Sequence, residues 1–279
     1  MTPRLRDWIE AGDVCLRYEL SGRGDEVVVL VHEMGGGIEA WDEVAAGLEA
    51  DFRVLRYDQR GFGLSEKNPN LSLDTAVDDL AALLDALAIT APVALAGAAL
   101  GAAVCIAFAL RHPHRVRCQV LASPATGGLS AASLQAMEAR LARVRQGGLR
   151  AVTDAMLAVT YPLALRVDRE RFERCRLRWL TMDPASFIAL NRMIQRFDLL
   201  PRLPAVTTPT LVIGCTHDAV RPAARSADLA ALIPGARFVE AASGHFMPVQ
   251  SPDLFVTQVR AFLTGPPPAA RPTPPKALP

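Results

Sequence analysis

The sequence predicts an α/β fold, with a doubly wound, mostly parallel sheet and a helical insert. First, short and continuous apolar runs such as VVVLV at 27–31 recur along the chain, which is typical of strands buried on both faces of a parallel sheet. Second, helical patterns separate these runs, which predicts right-handed βαβ crossovers. Third, the stretch 125–202 has a helical pattern throughout, with no run that predicts a buried strand.

The individual elements follow from the same patterns in chain order. Residues 14–20 (VCLRYEL) alternate with period two, which indicates a half-buried antiparallel strand. Buried strands are predicted at 27–31, 52–58, 93–96, 119–123, 210–215 and 237–241. Helices are predicted at 73–89, directly after 97–101, at 223–233 and at 251–263. Ser72 is the expected N-cap of the first, and Ser251 followed by Pro252 begins the last.

Composition divides the chain into a core, a lid and a tail. We expect 1–124 and 203–264 to form the core and 125–202 to form a helical lid. The lid carries 13 arginines against seven acids, a local charge of +6, whereas the whole chain carries +1. Residues 265–279 hold seven of the 21 prolines and are predicted to be a disordered tail.

Several classes of protein are excluded by composition. The near-zero net charge argues against a nucleic-acid binder. The N-terminus has no apolar signal region, and no apolar run approaches 18 residues, so we expect neither secretion nor a membrane partner. Five scattered cysteines without CxxC spacing indicate buried, reduced thiols in the cytoplasm. We expect no metal and no cofactor, and the sequence leaves a homodimer open.

Polar or glycine-rich loops follow four of the predicted strands. They are His32-Glu33-Met34-Gly35-Gly36-Gly37, Gly97-Ala98-Ala99-Leu100-Gly101, Thr216-His217-Asp218 and Ser243-Gly244-His245. Parallel α/β sheets bind ligands beyond the carboxyl ends of their strands, so these loops are the place to look for a site. A further turn, Asp58-Gln59-Arg60-Gly61-Phe62-Gly63-Leu64-Ser65, follows the strand at 52–58.

The order of these motifs resembles the α/β-hydrolase superfamily over residues 10–264, with an oxyanion loop, a nucleophile elbow, an acid and a base in that order. The turn at 58–65 is similar to the DxRGxGxS turn of that family. The wording of RVLRYDQRGFGLSE and of the segment 216–245 looks most like 3-oxoadipate enol-lactonases. The resemblance implies an α/β-hydrolase fold with a helical lid.

The resemblance also implies a role for each loop residue. His245 would act as a general base, because an imidazole can transfer protons in both directions near neutral pH. Asp218 would accept a hydrogen bond from Nδ1–H of His245 and so fix the tautomer of its imidazole. The backbone N–H groups of Met34 and Leu100 would stabilise an oxyanion.

The elbow departs from the pattern at the nucleophile position, where Ala99 stands in place of serine. A methyl group cannot attack a carbonyl, so no acyl-enzyme can form at this position. One explanation is an engineered Ser→Ala change that disarms a hydrolase. The other is natural divergence, which a second departure favours, because Glu33 stands where the family has glycine. The elbow is also similar to that of the carbamate or aminoacrylate hydrolase of pyrimidine utilisation, which lacks serine there.

Three hypotheses for the function follow. The first is hydrolysis of a small activated carbonyl compound, an enol-lactone, ester or amide, with His245 activating a water molecule. The second is a lyase or decarboxylase that uses His245 and Asp218 for proton transfer, with Glu33 as a second acid. The third is a catalytically silent ligand-binding protein. The retained pair of Asp218 and His245 argues against this hypothesis.

The charge of the lid predicts an anionic substrate, most simply a small carboxylate. An arginine binds a carboxylate through a planar fork and keeps its proton. We expect Arg192 and Arg196 to take this role, because they share a helix face near the return of the lid to the sheet. Together with Glu33, they are the predicted substrate-binding residues.

Overall fold

A computed structural model of the chain describes residues 4–68 and 70–265, so the predicted tail lies almost wholly outside the described residues. Within them, eight strands form one sheet in the order β1-β2-β4-β3-β5-β6-β7-β8. The strands are β1 (Arg4–Ala11), β2 (Val14–Gly22), β3 (Val27–Val31), β4 (Arg53–Tyr57), β5 (Val93–Ala98), β6 (Val116–Ala122), β7 (Thr210–Cys215) and β8 (Arg237–Ala241). β1 and β2 are antiparallel to their neighbours and the others are parallel, so the predicted mostly parallel sheet is confirmed.

The α-helices lie on both faces of this sheet. They are α1 (Asp42–Leu48), α2 (Leu73–Ala86), α3 (Leu100–Arg111), α4 (Ala131–Gly147), α5 (Thr153–Thr160), α6 (Arg169–Leu180), α7 (Pro184–Arg196), α8 (Ala223–Leu232), α9 (Met247–Gln250) and α10 (Pro252–Thr264). One apolar cluster joins α2, α3 and α8 to the sheet, and a second joins α1 and α10 to the other face. In the described chain, no helix combines the length and the apolar character that crossing a membrane requires.

The N-terminal hairpin contains a strand that the sequence patterns did not predict. β1 pairs with β2 around a turn at Gly12, whose φ is +69°. Most of β1 is exposed, including Leu5 and Trp8. Because β1 is a solvated edge strand, its charged residues interrupt the apolar pattern by which the other strands are recognised.

The segment between β6 and β7 forms α4, α5, α6 and α7, and it is tied to the core by packing and by charge. Leu141 on α4, Trp179 on α6 and Phe187 on α7 are fully buried. At the surface, Arg171 of α6 forms a two-pronged ion pair with Glu43 of α1, at 2.9 and 2.5 Å. The helical segment therefore rests on the core as a cover close to the carboxyl ends of the strands.

Candidate active site

The turn between β5 and α3 depends on one residue, Ala99. Its φ of 48° and ψ of −108° lie in a region that residues with a β-carbon rarely adopt. Its N–H donates to the Ala122 carbonyl at 2.9 Å, and its own carbonyl accepts from the N–H of Ala125 at 2.9 Å. This sharp strand-to-helix turn has the shape that presents a nucleophile at the top of the sheet in hydrolases.

Two glycines let the helix approach the sheet closely enough to make this turn. A β-carbon at Gly101 would lie 1.9 Å from the Val31 carbonyl oxygen, and one at Gly97 would lie 2.7 Å from the backbone of α3. Any larger residue at Gly101 would push α3 away from β3. The geometry of a nucleophile elbow is therefore complete around a residue that has no nucleophilic atom.

Asp218 and His245 meet at the same edge of the sheet. Asp218 follows β7 and His245 follows β8, its neighbour in the sheet. The imidazole Nδ1 lies 2.8 Å from Oδ2 of Asp218, and both side chains are buried. Oδ1 of Asp218 accepts the backbone N–H groups of Val220 and Arg221, each at 2.8 Å. Because the carboxylate accepts at Nδ1, the proton of a neutral ring lies there, and Nε2 is left with its lone pair.

Electrostatics favour a neutral imidazole beside an ionised carboxylate. Burial lowers the pKa of His245 below its ordinary value of 6.5, and this effect exceeds the opposing influence of Asp218. Burial acts to raise the pKa of Asp218, but the hydrogen bonds that this carboxylate accepts, first from His245 and then from the backbone N–H of Arg221, hold its pKa below the ordinary value. At neutral pH the pair is therefore set up to accept a proton at Nε2.

The loop after β3, residues 32–37, is fixed by hydrogen bonds to the turn at 58–65. Nδ1 of His32 donates to the Glu33 carbonyl at 2.7 Å, and Nε2 of His32 accepts from the N–H of Gln59 at 3.0 Å. Oδ1 of Asp58 accepts from the N–H of Ile38 at 2.7 Å. The turn at 58–65 therefore fixes both ends of the loop that carries Met34. On the other side, Leu100 is the first residue of α3, whose N–H has no partner within the helix.

Glu33 lies beneath this loop and is 1% exposed. Its Oε2 has no hydrogen-bond partner among the described residues. Burial raises the pKa of this carboxyl, which favours the neutral acid. A β-carbon at Gly36 would approach the Glu33 carboxyl carbon to 3.0 Å, so the side chain folds back against its own loop.

Residues of α6 and α7 pack against the loop that carries Met34. The indole of Trp179 lies against Gly35, where a β-carbon would come within 2.4 Å of Nε1, and it packs on Phe246 with ring centroids 6.0 Å apart. Asn191 is fully buried, with Nδ2 at 4.0 Å from Sδ of Met34. Its Oδ1 accepts from Nη2 of Arg140 at 2.9 Å.

The structure does not bring Arg192 and Arg196 to this site, which corrects our expectation. Arg192 is directed toward α4, where Nη2 lies 3.4 Å from Glu138, and its side chain is 43% exposed. Arg196 is exposed at the end of α7. The shared helix face was identified correctly, but it is turned toward α4 and solvent.

Three residues near the site were missed by sequence reasoning. Arg140 flanks the buried stripe of Met137, Leu141 and Val144 on α4, a pattern that could have identified it. Trp179 offered no signal apart from being an aromatic residue in the lid. The third is Arg221, whose Nη1 lies 3.3 Å from Nε2 of His245. Its place three residues after Asp218 was the available signal.

Neither Cys105 nor Ser65 offers a nucleophile in place of serine. Burial raises the pKa of the Cys105 thiol inside α3. The Ser65 hydroxyl donates to the Asp58 carbonyl at 2.6 Å and accepts from the N–H of Arg17 at 2.8 Å. Four cysteines are buried as expected, but Cys15 is partly exposed. Across 4–68 and 70–265, three or more His, Cys, Asp or Glu side chains nowhere gather in a way that could hold a metal ion.

Comparison with known proteins fits this geometry. The model of the α/β-hydrolase fold family matches residues 26–252. The chain belongs to the α/β-hydrolase family. Its fold class and its assignment as a hydrolase, both expected from the motifs, are thereby confirmed.

Relatives and solved structures give the range of chemistry in this neighbourhood. A pyrrolizixenacetamide deacetylase of Xenorhabdus hominickii is 27% identical over 266 residues, covering 91% of this chain and 97% of that protein. A candidate carbamate hydrolase, RutD, of Klebsiella pneumoniae is 31% identical, covering 90% and 96%. The crystal structure of the enol-lactonase from Burkholderia xenovorans superimposes with a TM-score of 0.86 at 29% identity, covering 93% of this chain and all of that one.

Proposed function

We propose that this hydrolase acts on a small activated carbonyl compound, an ester, enol-lactone or amide, through water that His245 activates. The observation that carries the proposal is the 2.8 Å contact between His245 and Asp218 at the sheet edge where Ala99 has no hydroxyl. Similarity to an enol-lactonase, a deacetylase and a candidate carbamate hydrolase supports the same class of carbonyl substrate.

The proposed step needs only groups of this chain and one water molecule. Nε2 of His245 accepts a proton while the water oxygen bonds to the carbonyl carbon. The N–H groups of Leu100 and Met34 stabilise the oxyanion, and the imidazolium returns the proton to the leaving group. A general base contributes roughly 10²–10⁴-fold and one oxyanion donor roughly 10²–10³-fold. That is enough only for a substrate that is already reactive.

We propose further that the substrate carries a carboxylate and that Arg140 binds it. Arg140 is partly buried and has only neutral hydrogen-bond partners, Asn191 at 2.9 Å and the Met156 sulfur at 3.5 Å. Its Nε is buried without a partner among the described residues. Burial lowers the pKa of Arg140, and no acid opposes this effect. A substrate carboxylate that reached Arg140 beside Asn191 would supply the missing counter-charge.

The experiment compares 4-nitrophenyl acetate with the mono-4-nitrophenyl ester of succinic acid in a stopped-flow assay. We expect a higher kcat/KM for the anionic ester and no initial burst of nitrophenol, because no acyl-enzyme forms. A burst of one equivalent per chain would refute water activation. Arg140→Met should reduce the preference for the anionic ester by about 10- to 100-fold, as for a lost charged hydrogen bond. The matched control Arg192→Met should leave it unchanged.

The second candidate function is proton transfer in a lyase or decarboxylase. The buried Glu33 favours it, because burial raises the pKa of its carboxyl and a second acid near the loop of Met34 could then take part in proton transfer. Product analysis separates the two, because hydrolysis consumes water and yields a carboxylate together with an alcohol, amine or enol.

A further inference from the structure

The side chain of Arg221 approaches the nitrogen of the His245 imidazole that faces away from Asp218. Its Nη1 lies 3.3 Å from Nε2 of His245. Nδ1 of the same ring is held by Asp218 at 2.8 Å, so Nε2 is the accepting atom and the guanidinium is the donor. The atom that must accept a proton from water is therefore already engaged.

A simple counter-ion role for Arg221 does not account for this arrangement. Both oxygens of Asp218 are used, Oδ2 by His245 and Oδ1 by the backbone N–H groups of Val220 and Arg221. Among the described residues, the guanidinium of Arg221 makes no ion pair within 4.0 Å, and the charge of Asp218 acts on it only from a longer distance. The main chain of Arg221 binds one side of the acid–base pair, while its side chain reaches the opposite nitrogen of the ring.

We propose that Arg221 is a second specificity-determining residue, which binds the substrate carboxylate together with Arg140, on the side close to the reacting carbonyl. In the free protein it donates to Nε2 of His245. When a substrate carboxylate binds, the guanidinium donates to that carboxylate through its planar fork. Nε2 is then free to accept a proton from water. Only a substrate with a suitably placed anion releases the base, so selection and activation are coupled.

This inference rests on the proposed function, but it is tested by binding, without turnover. Protein labelled with ¹⁵N-histidine is titrated with monomethyl succinate, an anion, and with dimethyl succinate, its neutral counterpart. We expect the anion to bind at least about 10-fold more tightly, as for one charged hydrogen bond. It should also shift the Nε2 resonance of His245, because the donor to that nitrogen is withdrawn.

Three variants complete the test. Arg221→Gln should reduce the preference for the anion by at least about 10-fold and should change the Nε2 resonance before any ligand is added. Arg221→Lys keeps the charge without the fork and should weaken anion binding by a smaller factor. Arg225→Gln, an exposed arginine at the start of α8, is the matched control and should behave as the wild type.

Either of two results would overturn the proposal. One is equal binding of the monoester and the diester by the wild type. The other is an Arg221→Gln or Arg221→Lys protein that binds monomethyl succinate as tightly as the wild type. If binding follows the prediction while no ester is hydrolysed, the proposed function fails and the anion site stands.

Discussion

The backbone of Ala99 keeps a strained shape for which alanine itself gives no reason. A backbone conformation in such a sparsely populated region costs a residue with a β-carbon roughly 1–3 kcal/mol. It persists because the surroundings impose it: hydrogen bonds to Ala122 and Ala125 hold both sides, and Gly101 lets α3 approach β3. The site therefore retains the orientation of a nucleophile independently of the side chain at position 99.

Ala99→Ser should consequently create a reactive serine. The hydroxyl would be presented beside His245, which is already held by Asp218. We expect a fluorophosphonate probe to label this serine, as seen by intact-protein mass spectrometry and peptide mapping. The double variant Ala99→Ser/His245→Ala should react much more slowly. An unlabelled Ala99→Ser protein would mean that the elbow and the imidazole are not aligned.

The burial of Glu33 predicts how the stability of the protein depends on pH. Its pKa is raised by burial above the ordinary value of 4.5. The folded state therefore favours the protonated acid, so its contribution to stability is fully present below pH 4.5 and is lost as the pH rises through the folded pKa. Glu33→Gln stays neutral at every pH. The Tm of the variant minus that of the wild type should increase as the pH rises.

Thermal unfolding between pH 4 and pH 9 provides the measurement. Glu10→Gln, which removes a charge from the exposed strand β1, serves as the matched control. A Tm difference for Glu33→Gln that does not change with pH would contradict the burial of a neutral acid at this position.

Among the elements, α2 shows how a cap predicted from sequence is built. The Ser72 hydroxyl accepts from the N–H of Thr75 at 2.9 Å, and the Thr75 hydroxyl accepts from the N–H of Ser72 at 2.8 Å. Ser72→Ala should lower the free energy of unfolding by about 0.5–2 kcal/mol, whereas Ser72→Gly should cost only a few tenths of a kcal/mol. Urea unfolding of the two variants checks this difference. A Ser72→Ala protein as stable as the wild type would show that the cap contributes nothing.

The ion-pair contact between α6 and α1, called the seam below, allows a second test at the scale of the elements. Glu43 is the core partner of Arg171, and Arg174 approaches it at 3.8 Å. Glu43→Gln should speed hydrogen exchange in α6, while global stability falls by less than about 1 kcal/mol, because the pair is partly exposed. Glu170→Gln removes the partner of Arg174 within α6 and leaves the seam intact. Exchange that is equally fast in both variants would mean that the seam does not hold the lid.

At the scale of the whole molecule, the sequence predicts what depends on periodicity and on strand ends. The buried strands follow from runs such as VVVLV, because a strand covered on both faces must be apolar throughout. The placement of Asp218 and His245 together follows from the rule that parallel strands end at one edge. β1 was missed because an exposed edge strand carries no such run.

The details of the site depend on the directions in which helix faces and side chains point, and sequence periodicity does not give these directions. A helical repeat shows that Arg192 and Arg196 share a face, but the packing of α7 against α4 decides where that face points. The approach of Arg221 to His245 depends on a side chain that folds back around its own loop. The burial of Glu33 accompanies the packing of Trp179 from α6 on Gly35 of the same loop, a tertiary contact that periodicity does not give.

The most direct test of the central claim is the pH dependence of kcat for the wild type and for His245→Ala. The mono-4-nitrophenyl ester of succinic acid is the substrate. With His245 as the base, we predict that the variant loses at least about 10²-fold in kcat. We also predict that wild-type activity falls only below pH 6.5, since burial lowers the pKa of the imidazole. Equal rates for the two proteins would contradict water activation by His245.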